Sequence, residues 1–209
     1  MTMLPADAQK VKLSDSFALY DLLRSDTAER SSALMDAQFN PPQSVIDCLG
    51  YLAKTTLQPL VDKFNYPLRV SSGYRSTAVN QLVGGVSSSQ HCYGQAADIS
   101  VADDFLTDPD SEAVRAYIEA KVLSVTGKPV DPETVNANFY LFAFVCMNLN
   151  EFDIDQVIHE FGVDYGQPAW VHVAASSTQN KRQIVVLGKY VDAGDSHIID
   201  FETALGFGN

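Results

Sequence analysis

Apolar residues recur at helical spacing through Val45, Leu49, Leu52, Leu60 and Phe64, which predicts one long core helix. Asn40-Pro41-Pro42 precedes it: Asn40 suits a cap, Pro41 suits the first helical turn, and Pro59 is placed to kink the helix. Upstream, residues 11–30 read as a short amphipathic segment anchored by Leu13, Phe17 and Leu22. Residues 67–71 read as a strand. Beyond them Ser76 caps a short helix that stops at Gly84-Gly85. A polar loop over residues 86–94 leads to a second strand, 96–101.

From 105 to 150 the pattern turns mostly helical. Val114, Tyr117, Ile118 and Val122 form one stripe, and Phe139, Phe142, Ala143 and Met147 form another. A breaker rich in Gly and Pro, residues 126–132, separates them. Three short strands follow, at 155–161, 170–174 and 183–187, with turn residues between them; their order predicts an antiparallel meander. The tail from Gly188 to Asn209 is weakly patterned and takes no assignment. The expected architecture is α+β: a small antiparallel sheet with flanking helices, in a single domain over residues 1–209 with its core about 14–187 and a helical insertion about 105–150.

Composition narrows the function classes. The chain has 209 residues, 46% hydrophobic and 19% charged, enough apolar material for a sizeable core. A formal net charge of −12 argues against a polyanion such as nucleic acid as partner. No apolar run approaches the roughly 20 residues that span a bilayer, so no membrane partner is expected. Residues 1–10 lack the basic, apolar, then small-residue order of a signal peptide, and the expectation is a cytoplasmic product. Cys48, Cys92 and Cys146 are odd in number and far apart, which disfavours a disulfide framework and a thiolate metal site; Cys92 reads as a reduced thiol.

Candidate chemistry lies in three blocks: Ser71-Ser72-Gly73-Tyr74-Arg75-Ser76, Ser89-Gln90-His91-Cys92-Tyr93-Gly94-Gln95-Ala96-Ala97-Asp98, and Trp170-Val171-His172. Catalytic zinc takes three protein ligands and leaves a position for water; imidazole and carboxylate are suitable donors. His91 and Asp98 are too far apart in sequence for one helix face, but a loop turning into a strand presents both. Gly94 permits the turn, and small Ala96 and Ala97 let backbone approach. His172, mid-strand, can enter from a different element. Spacing alone leaves a second reading open, with His172 a hydrogen-bonded core histidine and Asp98 a buried turn carboxylate. His159 on a strand and His197 in the tail are weaker candidates.

These blocks resemble the zinc D-alanyl-D-alanine carboxypeptidases, more closely their shorter phage- and prophage-encoded relatives. Ser89, His91, Gly94, Ala96 and Asp98 match that family's Ser-x-His-x-x-Gly-x-Ala-x-Asp signature, and Trp170 and His172 match its Trp-x-His. The resemblance implies that His91, Asp98 and His172 bind one Zn2+ ion. It also implies the α+β fold shared with the hedgehog signalling domain, and action on peptidoglycan peptide. Arg75 matches the arginine near the metal, where a guanidinium can bind a carboxylate or a developing oxyanion. Ser89 and Tyr74 are expected to bind substrate by shaping the loop or lining the cleft. Phage-type relatives suggest release at lysis or carriage on a virion.

Metal hydrolysis also needs a proton carrier. Many members of that family place Asp or Glu three residues before the last histidine ligand, and here Ala169 occupies that position. Glu160 is the expected substitute, provided its strand turns it toward His172 rather than toward solvent; Asp164 is second choice. A rival reading is a non-catalytic wall-binding or virion module that keeps zinc for stability.

Overall fold

The structure is a computed structural model that describes residues 3–188 and 197–209. Short helices α1 (Pro5–Ala8), α2 (Leu19–Leu23) and α3 (Ser32–Gln38) wrap one flank. Leu13, Phe17 and Leu22 are buried there, as the amphipathic pattern requires. The long core helix is built in three stacked pieces: α4 (Gln43–Leu52), a wide π turn (Ala53–Leu57) and α5 (Gln58–Phe64). Val45, Leu49, Leu52, Leu60 and Phe64 are all buried.

Two details differ from expectation. The helix starts after Pro42, not at Asn40. Pro41 precedes another proline, which holds it out of the helical region, and the first helical bonds run from Val45 and Ile46 N–H to the Pro42 carbonyl at 3.0 and 3.3 Å. The irregularity expected at Pro59 is the π turn just before it. Proline has no N–H to offer and its ring crowds the carbonyl four residues back, so the turn widens.

Six strands form one sheet in the order β1-β2-β4-β3-β5-β6. They are β1 (Arg69–Ser72), β2 (Ala96–Ser100), β3 (Gln156–Glu160), β4 (Trp170–Ala174), β5 (Gln183–Leu187) and β6 (His197–Ile199). The closing strands are therefore not a simple meander. β4 inserts between β2 and β3, and β5 pairs with the far edge of β3 in parallel. Val157, Val173, Ile184 and Val185 are buried, so β3 to β5 form the apolar centre of the sheet, where parallel pairing is tolerated. β6 and α9 (Phe201–Gly206) account for part of the unassigned tail; residues 189–196 lie outside the described residues.

α6 (Thr77–Leu82) is the short helix capped by Ser76, whose hydroxyl accepts from Val79 N–H. α7 (Glu112–Thr126) ends on Gly127 in the left-handed region, and α8 (Ala137–Met147) follows the breaker. Ile118 and Val122 of α7 are buried but Tyr117 is 55% exposed, so the α7 stripe is narrower than its pattern suggested. Every residue of α8 from Phe139 to Cys146 is buried, because the sheet covers one side and α5, α7 and α9 cover the rest. No described helix is long and apolar enough to cross a membrane.

Register divides the sheet chemically. Residues directly opposite one another on neighbouring strands share a face. Ala97, Ile99, Val157, Val171 and Val173 face α8 and the core. Ser72, Asp98, His172, Ile158, Trp170 and Glu160 share the opposite face.

Candidate metal centre

Three donor atoms meet on that second face. His91 Nε2 and Asp98 Oδ1 are 3.2 Å apart, His91 Nε2 and His172 Nδ1 are 3.2 Å apart, and His172 Nδ1 and Asp98 Oδ1 are 3.1 Å apart. All three residues are buried. Asp98 and His172 are direct cross-strand partners, so the β2–β4 ladder sets their separation. His91 comes from the 3-10 turn Gln90–Tyr93, which ends on Gly94 at φ +68°. A side chain at Gly94 would meet the Val45 carbonyl at 2.6 Å, so the turn lies directly on α4.

The chemistry of the donors fits a cation. His91 Nδ1 lies 2.6 Å from the Gly73 carbonyl, a contact that only a protonated Nδ1 can make, and this leaves the Nε2 lone pair aimed at the other two donors. Tetrahedral zinc with bonds of about 2.0–2.2 Å places its ligand atoms roughly 3.3 Å apart, close to the triangle seen here. The trio can therefore hold a metal ion. Burial opposes ionisation of Asp98, but hydrogen bonds and charge from His172 and His91 outweigh it and hold the carboxyl below the usual carboxylate range.

Against the Asp98 corner of the triangle lies a cleft of about 410 Å³, with Arg75, Asp98, Glu160, Phe161 and Trp170 among its lining residues; His91 and His172 are not among them. A bulge in β1 between Val70 and Ser72 turns Ser72 toward it. Ser72 Oγ accepts from Arg75 Nε at 2.8 Å, and Arg75 Nη2 pairs with Asp98 Oδ2. Asp98 thus divides its oxygens, one toward the imidazoles and one toward the guanidinium.

Glu160 is 9% exposed and lies on the cleft face, with Oε1 4.0 Å from His172 Nδ1. Its other oxygen accepts from the Trp170 indole N–H at 2.8 Å. Burial, then the charge of Asp98, pushes its carboxyl up. Ala169, at the position where a carboxylate was anticipated, donates its N–H to the Glu160 carbonyl at 2.9 Å, so the two positions are immediate neighbours. Asp164 is exposed and accepts from Gly166 N–H within its own loop; it is not among the cleft residues.

Tyr74 and Ser89, expected to bind substrate, are not among the residues that line the cleft. Tyr74 is buried, with its N–H on the Leu22 carbonyl at 2.7 Å, and the half-buried Ser89 opens the 3-10 turn by accepting from Cys92 N–H at 3.0 Å. His159 faces the core against Phe142, with Nε2 2.7 Å from the Tyr165 carbonyl, and His197 lies exposed on β6. Cys92 is half-buried, and burial pushes its thiol up. The pattern did not disclose that Ser25, Asp26 and Thr27 also line the cleft, since polar residues after α2 resemble any loop. Nor did it disclose the indole's grip on Glu160, which depends on β3–β4 register.

A family model described as peptidase M15 matches residues 18–136. That stretch holds Arg75, His91 and Asp98; the sheet brings His172 and Glu160 to them from outside it. No curated protein matches the chain.

Proposed function

This chain belongs to the peptidase M15 family, and from that premise we propose that it is a zinc peptidase hydrolysing the stem peptide of bacterial peptidoglycan. The bond cut is a terminal D-alanyl-D-alanine link or a related internal one. The observation that carries the catalytic reading is Glu160, a buried carboxylate within 4.0 Å of the donor triangle in a cleft that also holds Arg75.

Zinc, when bound by His91, Asp98 and His172, supplies a Lewis acid and lowers the pKa of water. Glu160 takes a proton from the attacking water and delivers it to the departing amine nitrogen as the C–N bond breaks. Trp170 holds one oxygen of Glu160, leaving Oε1 for that exchange. Arg75, anchored through Nε and Nη2, presents positive charge to a substrate carboxylate or to the developing oxyanion. Tyr74 and Ser89 act by shaping the two loops that carry Arg75 and His91.

Purified peptidoglycan incubated with zinc-loaded protein should release free amine, and mass spectrometry of the products should identify the bond. One zinc per chain with no amine released would instead support the non-catalytic wall or virion module. The cleft-facing Glu160 weighs against that module, because a site kept for stability has no use for a buried carboxylate next to its ligands.

A further inference from the structure

We infer that Gln38 is a positioning residue for the metal centre, a buried amide that fixes the backbone from which both His91 and Asp98 are oriented. The inference rests on the reading that the trio holds zinc. Gln38 closes α3 and is 0% exposed. Its Nε2 donates to the Leu23 carbonyl at 2.8 Å and to the Tyr74 carbonyl at 2.6 Å, while its Oε1 accepts from Ser76 N–H at 2.9 Å. One side chain therefore grips the backbone on both sides of Arg75 and ties it to the segment that leads to Ser25, Asp26 and Thr27.

The gripped stretch makes two contacts to metal ligands. The Gly73 carbonyl accepts a hydrogen bond from His91 Nδ1–H, which sets the tautomer that exposes Nε2. Arg75 takes Asp98 Oδ2, which turns Oδ1 toward the imidazoles. The stretch has little freedom otherwise: a side chain at Gly73 would meet the Leu22 carbonyl at 2.4 Å, and Arg75 N–H bonds the His91 carbonyl at 3.2 Å. Without the amide, the Tyr74 carbonyl and Ser76 N–H are left buried and unpaired, and the segment must shift to satisfy them. Partners of this kind behind metal ligands typically change affinity 10–100-fold when removed.

The test is the zinc dissociation constant, by chelator competition, of the wild type, Gln38→Leu and Val122→Ala. Val122 is fully buried on α7, so its truncation destabilises the fold without touching the brace. Gln38→Leu should weaken zinc binding at least about 10-fold, with Val122→Ala unchanged at a comparable loss of melting temperature. Gln38→Asn, which keeps an amide but shortens its reach, serves if the leucine variant does not fold and should weaken binding in the same direction. Unchanged affinity in the Gln38 variants, or an equal loss in Val122→Ala, would reduce Gln38 to a core residue. Failure of the wild type itself to bind one zinc would refute the metal reading, and is seen before any variant is made.

Discussion

Replacing Glu160 with glutamine isolates the proton-transfer step from everything else the site does. The two side chains are nearly isosteric, and the amide oxygen can keep the 2.8 Å bond from the Trp170 indole, so the β3–β4 corner should not move. Stability should not fall either. The Glu160 carboxyl titrates higher in the metal-free fold than in the unfolded chain, so its ionised form opposes folding as pH rises above the unfolded value of about 4.3. A neutral side chain removes that penalty, and Glu160→Gln apoprotein should melt at or above the wild-type temperature at pH 7. Turnover should behave oppositely. A positioned base contributes about 10²–10⁴-fold, so kcat should fall at least 100-fold, equal to about 2.7 kcal/mol on the barrier. Amine release from peptidoglycan gives the rate, and metal analysis gives the stoichiometry. Turnover within about threefold of wild type, with zinc still bound, would refute the assignment and leave the proton carrier unidentified.

Metal removal should be read out as stability. Zinc held at a thousand times its dissociation constant adds about 4 kcal/mol, so chelation should lower the melting temperature on the order of 10 °C; no shift would argue against a structural contribution from the trio. His159, buried among aromatic rings, has its pKa lowered to about 4 by burial. Between that value and about 6.5 the unfolded chain binds a proton that the native state does not, so stability should decline as pH falls through this window, by on the order of 3 kcal/mol in total. His159→Gln should flatten the slope, and thermal melts across pH 4–7 would show it; an unaltered slope assigns the acid sensitivity elsewhere. Gly94→Ala combines a left-handed backbone with a Cβ aimed at the Val45 carbonyl at 2.6 Å, and should cost at least about 2 kcal/mol in chemical denaturation. A wild-type midpoint for that variant would mean the turn lifts easily from α4.

The candidate metal centre was more legible in the sequence than its setting. His91, Gly94 and Asp98 fall within one short block, and the glycine marks the turn that lets the other two converge. His172 was joined to them only through the Trp170-Val171-His172 resemblance; that it stands directly opposite Asp98 comes from the β2–β4 register, which no local pattern announces. Alternation could not choose the face of Glu160; register with Trp170 decides that, and register is a long-range property. The meander failed for the same reason. Nothing local to residues 183–187 says that β5 joins β3 in parallel rather than the newly made β4. Gln38 left no trace at all, since a glutamine ending a short helix is ordinary until its three partners are known. The start of α4 was misplaced by taking each proline separately, when the second constrains the first.

The three candidate ligands are divided by the chain in an uneven way. His91 and Asp98 precede α7 and α8, and His172 follows them, 81 positions after His91. A bound ion would therefore close a loop containing both helices, like a reversible covalent staple. Unlike a disulfide the ion leaves when its site comes apart, so any opening that parts β4 from β2 has to release it and is opposed by its binding energy. Occupancy of the site would then govern how readily α7 and α8 come away from the sheet, and a protease attacking the Gly127 turn would find a more resistant substrate whenever the ion is in place.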